Sequence, residues 1–214
     1  MNRLLICVAA AGLGLSAFAV PSAQAELLAN PGFEQPITTD GAPFVGSWEG
    51  FSGTGGLAAN SNNSPRSGNA HLLLSITNTD NTFAGVFQDV PGLAPGSPVT
   101  FSGYHRTPSN PLDLGVEVRI EWRNSVTNAE ISRTPNSTTV PTASYTPFSL
   151  SATVPAGADT ARVVYAIQSF GPEPTNNGVV FVDDVSFVPE PSAGVLVGFG
   201  VCLAGMRRRR RRAA

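Results

Sequence analysis

From Leu114 to Arg123 the chain alternates strictly. Val116, Val118, Ile120 and Trp122 take one set of positions, and Glu117, Arg119, Glu121 and Arg123 take the other. A period of two is that of a pleated strand, and a helix cannot sort these residues onto an apolar and a charged side. The segment therefore reads as a half-buried strand. Ala161, Val163, Tyr165 and Ile167 repeat the pattern. Further candidate strands are 44–51, 70–76, 83–90, 99–106, 145–154 and 179–188, and 26–34 brings the number to about nine. Turn clusters separate them, among them Ser61-Asn62-Asn63-Ser64-Pro65, Pro108-Ser109-Asn110-Pro111 and the run from Gly171 to Gly178. The 22 Gly and 18 Pro against 13% charged residues argue against a helical bundle, and an all-β, two-sheet antiparallel β-sandwich is expected.

The charge is unevenly distributed. The 214 residues carry a net −2, but every one of the 13 basic residues is arginine and six of them form the run Arg207 to Arg212. Residues 26–189 hold only Arg66, Arg106, Arg119, Arg123, Arg133 and Arg162 against 14 acids, a net of −8. Such a body repels phosphate backbones, so nucleic acid is not an expected partner. The two cysteines, Cys7 and Cys202, lie in apolar terminal stretches. The body thus has no disulfide, no thiol nucleophile and no zinc site built on cysteine.

Residues 1–25 read as a signal peptide, with Arg3 ahead of an apolar run and a small-x-small site ending at Ala25. At the other end Pro189-Glu190-Pro191 precedes an apolar stretch, 193–206, and then the arginine run. That stretch is short for a membrane span, although snorkelling arginine stems lengthen it, and the positive flank fixes its end in the cytoplasm. An ordinary tail anchor fits these features. The order Pro-Glu-Pro, short apolar helix, arginine cluster also resembles the PEP-CTERM sorting signal of Gram-negative bacteria. The resemblance implies exosortase and the secretion machinery as partners, processing near Pro189, Glu190 and Pro191, and a transient hold in the inner membrane. Delivery to the cell surface or an extracellular, biofilm-type matrix would follow. The expected organisation is a signal peptide over 1–25, a folded body over 26–188 and a sorting segment over 189–214.

Within the body, Asn30-Pro31-Gly32-Phe33-Glu34 opens the chain, Pro65-Arg66-Ser67-Gly68-Asn69-Ala70 stands before an apolar strand, and Asp183-Asp184-Val185 lies in the last strand. In this order the three resemble the motifs of jelly-roll carbohydrate-binding modules. The resemblance implies a jelly-roll sandwich that binds polysaccharide. It also places Glu34 with Asp183 or Asp184 around one structural Ca²⁺, where backbone carbonyls near Asn30 and Gly68 would complete the oxygen shell. Alternation sends Asp183 and Asp184 to opposite faces, and the family pattern favours Asp183 as ligand. A solvated pair of end-strand acids is the other reading of these residues.

Sugar sites stack rings on Trp or Tyr, and Trp48, Tyr104, Trp122 and Tyr145 are the candidate rings of that kind. Trp122 shares the apolar face of its strand and belongs in the core. Trp48 fits either core or site. Tyr104 with Arg106 is the best ring candidate, and Glu117, Arg119, Glu121 and Arg123 form a polar lining or a solvated face of cross-strand ion pairs. Catalysis is the weakest reading. No nucleophile elbow, metalloprotease helix or phosphate loop is present, and His71 reads as a strand-end residue. Glu117 and Glu121 are about 13 Å apart along a strand, beyond the roughly 5–9.5 Å of glycosidase pairs. A structural or adhesive surface protein without a sugar site, and an undetected glycoside hydrolase, remain the other two function classes.

Overall fold

The structure is a computed structural model that describes residues 25–42, 44, 46–77, 79–108, 113–170 and 177–190. Eleven strands form among them: β1 (Glu49–Ser52), β2 (Gly56–Ser61), β3 (His71–Ile76), β4 (Phe83–Pro91), β5 (Pro98–Arg106), β6 (Gly115–Arg123), β7 (Glu130–Arg133), β8 (Ser137–Thr138), β9 (Thr146–Thr153), β10 (Thr160–Gln168) and β11 (Gly178–Pro189). They build two antiparallel sheets. One runs β1-β4-β10-β6-β7 with β8 also on β6, and the other runs β2-β3-β11-β5-β9. Chain neighbours β3 and β4, β4 and β5, β5 and β6, β9 and β10, and β10 and β11 lie in opposite sheets, so the connections cross the sandwich repeatedly. No described residue is helical, and the two-sheet β-sandwich expected from the alternation is the fold observed.

The inner faces supply one core. Leu72, Leu74 and Ile76 of β3, Val99 and Phe101 of β5, Val118 and Ile120 of β6, Val163, Tyr165 and Ile167 of β10 and Phe187 of β11 are all essentially inaccessible. Burying each such side chain contributes about 1.5–3 kcal/mol. This core stands in for the missing disulfides. Trp122 lies within it, as its alternation required.

Three strand expectations need correction. Residues 26–34 form no strand, because Asn30 and Phe33 take positive φ around the Pro31-Gly32 turn. The segment is instead tied to β11 by Leu27 N–H on the Phe187 carbonyl and by Phe187 N–H on the Glu26 carboxylate. The strand expected over 44–51 begins only at Glu49. The strands β2, β7 and β8 have no counterpart among the expected strands. The signal peptide up to Gln24, and the sorting segment from Pro191 onward, lie outside the described residues. Ala25 is exposed, Pro189 ends β11, and Glu190 donates its N–H to the Pro98 carbonyl and accepts a bond from Thr100 Oγ1 at 2.5 Å.

Candidate functional site

The outer face of the β1-β4-β10-β6 sheet is set by register. Across the strands, Glu121 faces Arg162 and Arg162 faces Asp89. In the next row Arg119, Val164, Phe87 and Glu49 stand side by side, and in the third row Glu117, Ala166, Gly85 and Phe51. Charges gather on β6 and aromatic rings on β4 and β1. Because Gly85 has no side chain, the Phe51 ring lies across it; a Cβ there would stand 2.5 Å from Phe51 Cζ.

The charged half is a connected network. Arg119 bonds Glu121 through Nε at 2.9 Å and Glu117 through Nη1 at 2.5 Å, and Arg123 bonds Glu121 at 3.1 Å. Arg133 of β7 is paired with Glu130, and Arg162 holds Asp89 with two parallel bonds of 2.7 and 2.8 Å. Glu117 and Glu121 are only 6% and 5% exposed, so their charges depend on these partners. Burial pushes the Glu121 carboxyl up, but the bonds from Arg123 and Arg119 outweigh it and hold the group below the usual carboxylate range. The two glutamates that strand geometry puts far apart are thus bridged by one guanidinium. Glu121, held ionised in this way, does not supply the protonated partner of a glycosidase pair.

The aromatic half is a row of four phenylalanines. Phe83 to Phe51, Phe51 to Phe87 and Phe87 to Phe44 are separated by 6.0, 6.1 and 5.0 Å between ring centres. Two open hollows meet at Phe87. One, of about 280 Å³, is lined by Phe51, Arg119, Glu121, Arg123, Arg133 and Arg162 among others. The other, of about 340 Å³, lies towards Phe44, Glu49 and Asp89.

Of the candidate ligand residues, Glu117, Arg119 and Glu121 come together here with Arg123, and Arg119, Glu121 and Arg123 line the first hollow while Glu117, equally buried, is joined to it through Arg119. Trp48 does not join them. It is 1% exposed, packs on Phe33 and donates its indole N–H to the Asn30 carbonyl, which places it in the core. Tyr104 and Arg106 belong to β5 of the opposite sheet, where Arg66 stacks on Tyr104 at 3.5 Å and Arg106 lies over Phe181 and Tyr145. They form a separate cluster on the other side of the sandwich. The phenylalanine row, Arg133, Arg162 and Asp89 are not among the sequence candidates, which take only Trp and Tyr as stacking rings. Alternation held the signal: Phe83, Gly85 and Phe87 share the face of β4 opposite Ala84 and Val86.

The three candidate metal residues gather at the loop before β3. Asp183 is fully buried, with Oδ2 accepting the N–H groups of Arg66 and Ser67 and Oδ1 that of Asp184. Burial raises its carboxyl above the usual range despite these bonds. The expected opposite orientation of Asp183 and Asp184 does not hold. A register shift between Asp183 and Ser186, with Asp184 at φ 47°, breaks the alternation and turns Asp184 onto the side chains of Arg66 and Ser67 of the same loop. Glu34 accepts the N–H groups of Asn69 and Ala70. Gly68, at φ +60°, is required beside it, because a Cβ would fall 1.9 Å from Glu34 Oε1. Asp183 Oδ1 and Glu34 Oε1 face one small space, 3.9 and 4.0 Å from where a Cβ on Gly32 would stand. These two hard oxygen donors suit Ca²⁺, with carbonyls needed to complete the shell. Among the described residues no three His, Cys, Asp or Glu side chains gather closely enough to hold a metal by themselves.

No protein-family model matches the chain, and no curated protein matches it in sequence. Solved structures do match in fold. The CBM22-1 xylan-binding domain of Paenibacillus barcinonensis Xyn10C superposes with a TM-score of 0.52 and 14% identity over 78% of this chain and 96% of its own. The family 11 carbohydrate-binding module of the Clostridium thermocellum cellulase Lic26A-Cel5E gives 0.51 and 15% over 79% and 97%. The enzymatically active domain of bacteriophage CBA120 tailspike protein 4 gives 0.58 and 14%, but only 21% of that chain is covered. The fold is therefore a sandwich of the kind found in carbohydrate-binding modules.

Proposed function

We propose that this protein is a non-catalytic carbohydrate-binding protein whose site is the outer face of the β1-β4-β10-β6 sheet. The observation that carries the reading is the phenylalanine row beside an arginine-rich hollow, on a fold shared with xylan-binding and other carbohydrate-binding modules. Rings offer apolar faces to pyranoses, and guanidinium groups bond their oxygens. A glycan array and polysaccharide pull-down with the full chain test it. Retention by at least one glycan is expected, with loss of most of it in Phe87→Ala; no retention on any glycan, the host's own exopolysaccharide included, excludes the reading.

A structural or adhesive role without a sugar site is favoured by one observation: the Arg162 guanidinium lies 3.9 Å over the Phe87 ring and covers part of the face a sugar would use. The terminal motifs support export, exosortase processing near Pro189-Glu190-Pro191 and delivery to the cell surface or matrix. A structural Ca²⁺ between Glu34 and Asp183 belongs to the same reading, as a cross-link between the first and last segments of a disulfide-free body.

A further inference from the structure

Four of the six arginines in residues 26–189, Arg119, Arg123, Arg133 and Arg162, converge on one hollow of a body with net charge −8. The carboxylates of that hollow have their oxygens committed to these arginines: Glu121 to Arg119 and Arg123, and Glu130 to both Nε and Nη2 of Arg133. Asp89 at its border is likewise spent on Arg162. The arginines are not exhausted in return. Arg119 uses Nε and Nη1, Arg133 uses Nε and Nη2, and Arg162 uses Nε and Nη2. Among the described residues Arg119 Nη2, Arg133 Nη1 and Arg162 Nη1 carry no hydrogen bond, and none of them is a buried orphan like Arg123 Nε. The hollow therefore offers spare donors and spent acceptors.

A ligand that fits such a surface is rich in acceptors and brings negative charge, since a hydrogen bond from a guanidinium N–H to a carboxylate is charge-assisted and stronger than one to a neutral hydroxyl. Val164, Phe51 and Phe87 beside the arginines provide the apolar floor for the ring that carries the carboxylate. We infer that the ligand of this face is an acidic polysaccharide of the uronic-acid class, its carboxylates meeting Arg119, Arg133 and Arg162 while its rings lie along the phenylalanine row. The inference rests on the carbohydrate-binding reading above and narrows it. The overall −8 does not forbid it, because repulsion from distant acids is screened beyond about 8 Å at physiological ionic strength.

The test compares one polymer in two charge states. Binding of the full chain to polygalacturonate and to its methyl ester is measured by affinity electrophoresis and calorimetry, with neutral galactan and xylan alongside. The free acid is expected to bind at least about tenfold more tightly than the ester, and to weaken as salt is raised. Arg133→Gln and Arg162→Gln should each lower the affinity for the free acid about tenfold, while Ser149→Ala on the opposite sheet leaves it unchanged. Equal or better binding of the ester or of a neutral glycan overturns the inference and leaves carbohydrate binding standing. No binding to any of these polymers also overturns the inference, and the glycan array with the host's own exopolysaccharide then decides whether carbohydrate binding stands.

Discussion

His71 and His105 are 0% and 1% exposed and both are held neutral. Each is bonded through Nδ1 to a tyrosine, His71 to Tyr145 at 2.6 Å and His105 to Tyr165 at 2.7 Å. Burial lowers both to about 4, and the nearby Arg106 charge adds to the effect at His71. In the unfolded chain an imidazole takes up its proton near pH 6.5, so between 6.5 and 4 the unfolded state binds more protons than the folded one. Stability contributed by the neutral rings is complete above pH 6.5 and is lost as the pH falls towards 4, on the order of 3 kcal/mol for each. Urea melts between pH 4.5 and 7.5 should show that fall, and His105→Gln should flatten it. A melt independent of pH over this range would mean that the rings take up protons in the fold as readily as in the unfolded chain. Of these two residues, the strand-end position of His71 was readable; its burial was not, since it is covered by Phe181, stacked at 4.4 Å, from a strand more than 100 positions later.

At the scale of the element, β6 shows how far alternation carries. It assigned Val116, Val118, Ile120 and Trp122 to the core and the four charged residues to the outer face, and the sheet has them so. It gave no sign that Glu117 and Glu121 would be buried on that outer face, because the cover comes from β7, β8 and the arginine stems. Those short strands are nearly featureless in sequence: Glu130–Arg133 is exposed throughout and has no apolar side to mark it. The segment β2 escaped for a different reason, as Gly, Ala, Asn and Ser carry little strand preference. The outer face itself yields a prediction. Arg119, with a side chain 15% exposed, neutralises two carboxylates that are 8% and 7% exposed. Arg119→Met should cost about 3–5 kcal/mol, the usual loss when one partner of a buried pair is removed. Adding Glu117→Gln and Glu121→Gln should restore most of it in a chemical melt. A single variant as stable as the parent would mean that the network is only a solvated surface.

For the molecule as a whole the question is what holds the two ends of the body together. The first residues are fastened to the last strand by Leu27 N–H on Phe187, by Val185 N–H on Pro31 and by the Glu26 carboxylate on Phe187 N–H. Next to this seam Asp183, buried and raised by its burial, faces the same small space as Glu34. Three backbone N–H bonds offset only part of the cost of burying that charge, and a divalent cation in the space would offset the rest. If calcium is bound, it is bound to the folded chain alone, and stability rises with its concentration. The melting temperature should therefore fall in EDTA and recover when Ca²⁺ is added in excess, and Glu34→Gln should lose the response while keeping the fold. An unchanged melt in chelator would show that the amides of residues 66–70 suffice. The seam would then be closed by hydrogen bonds and core packing alone.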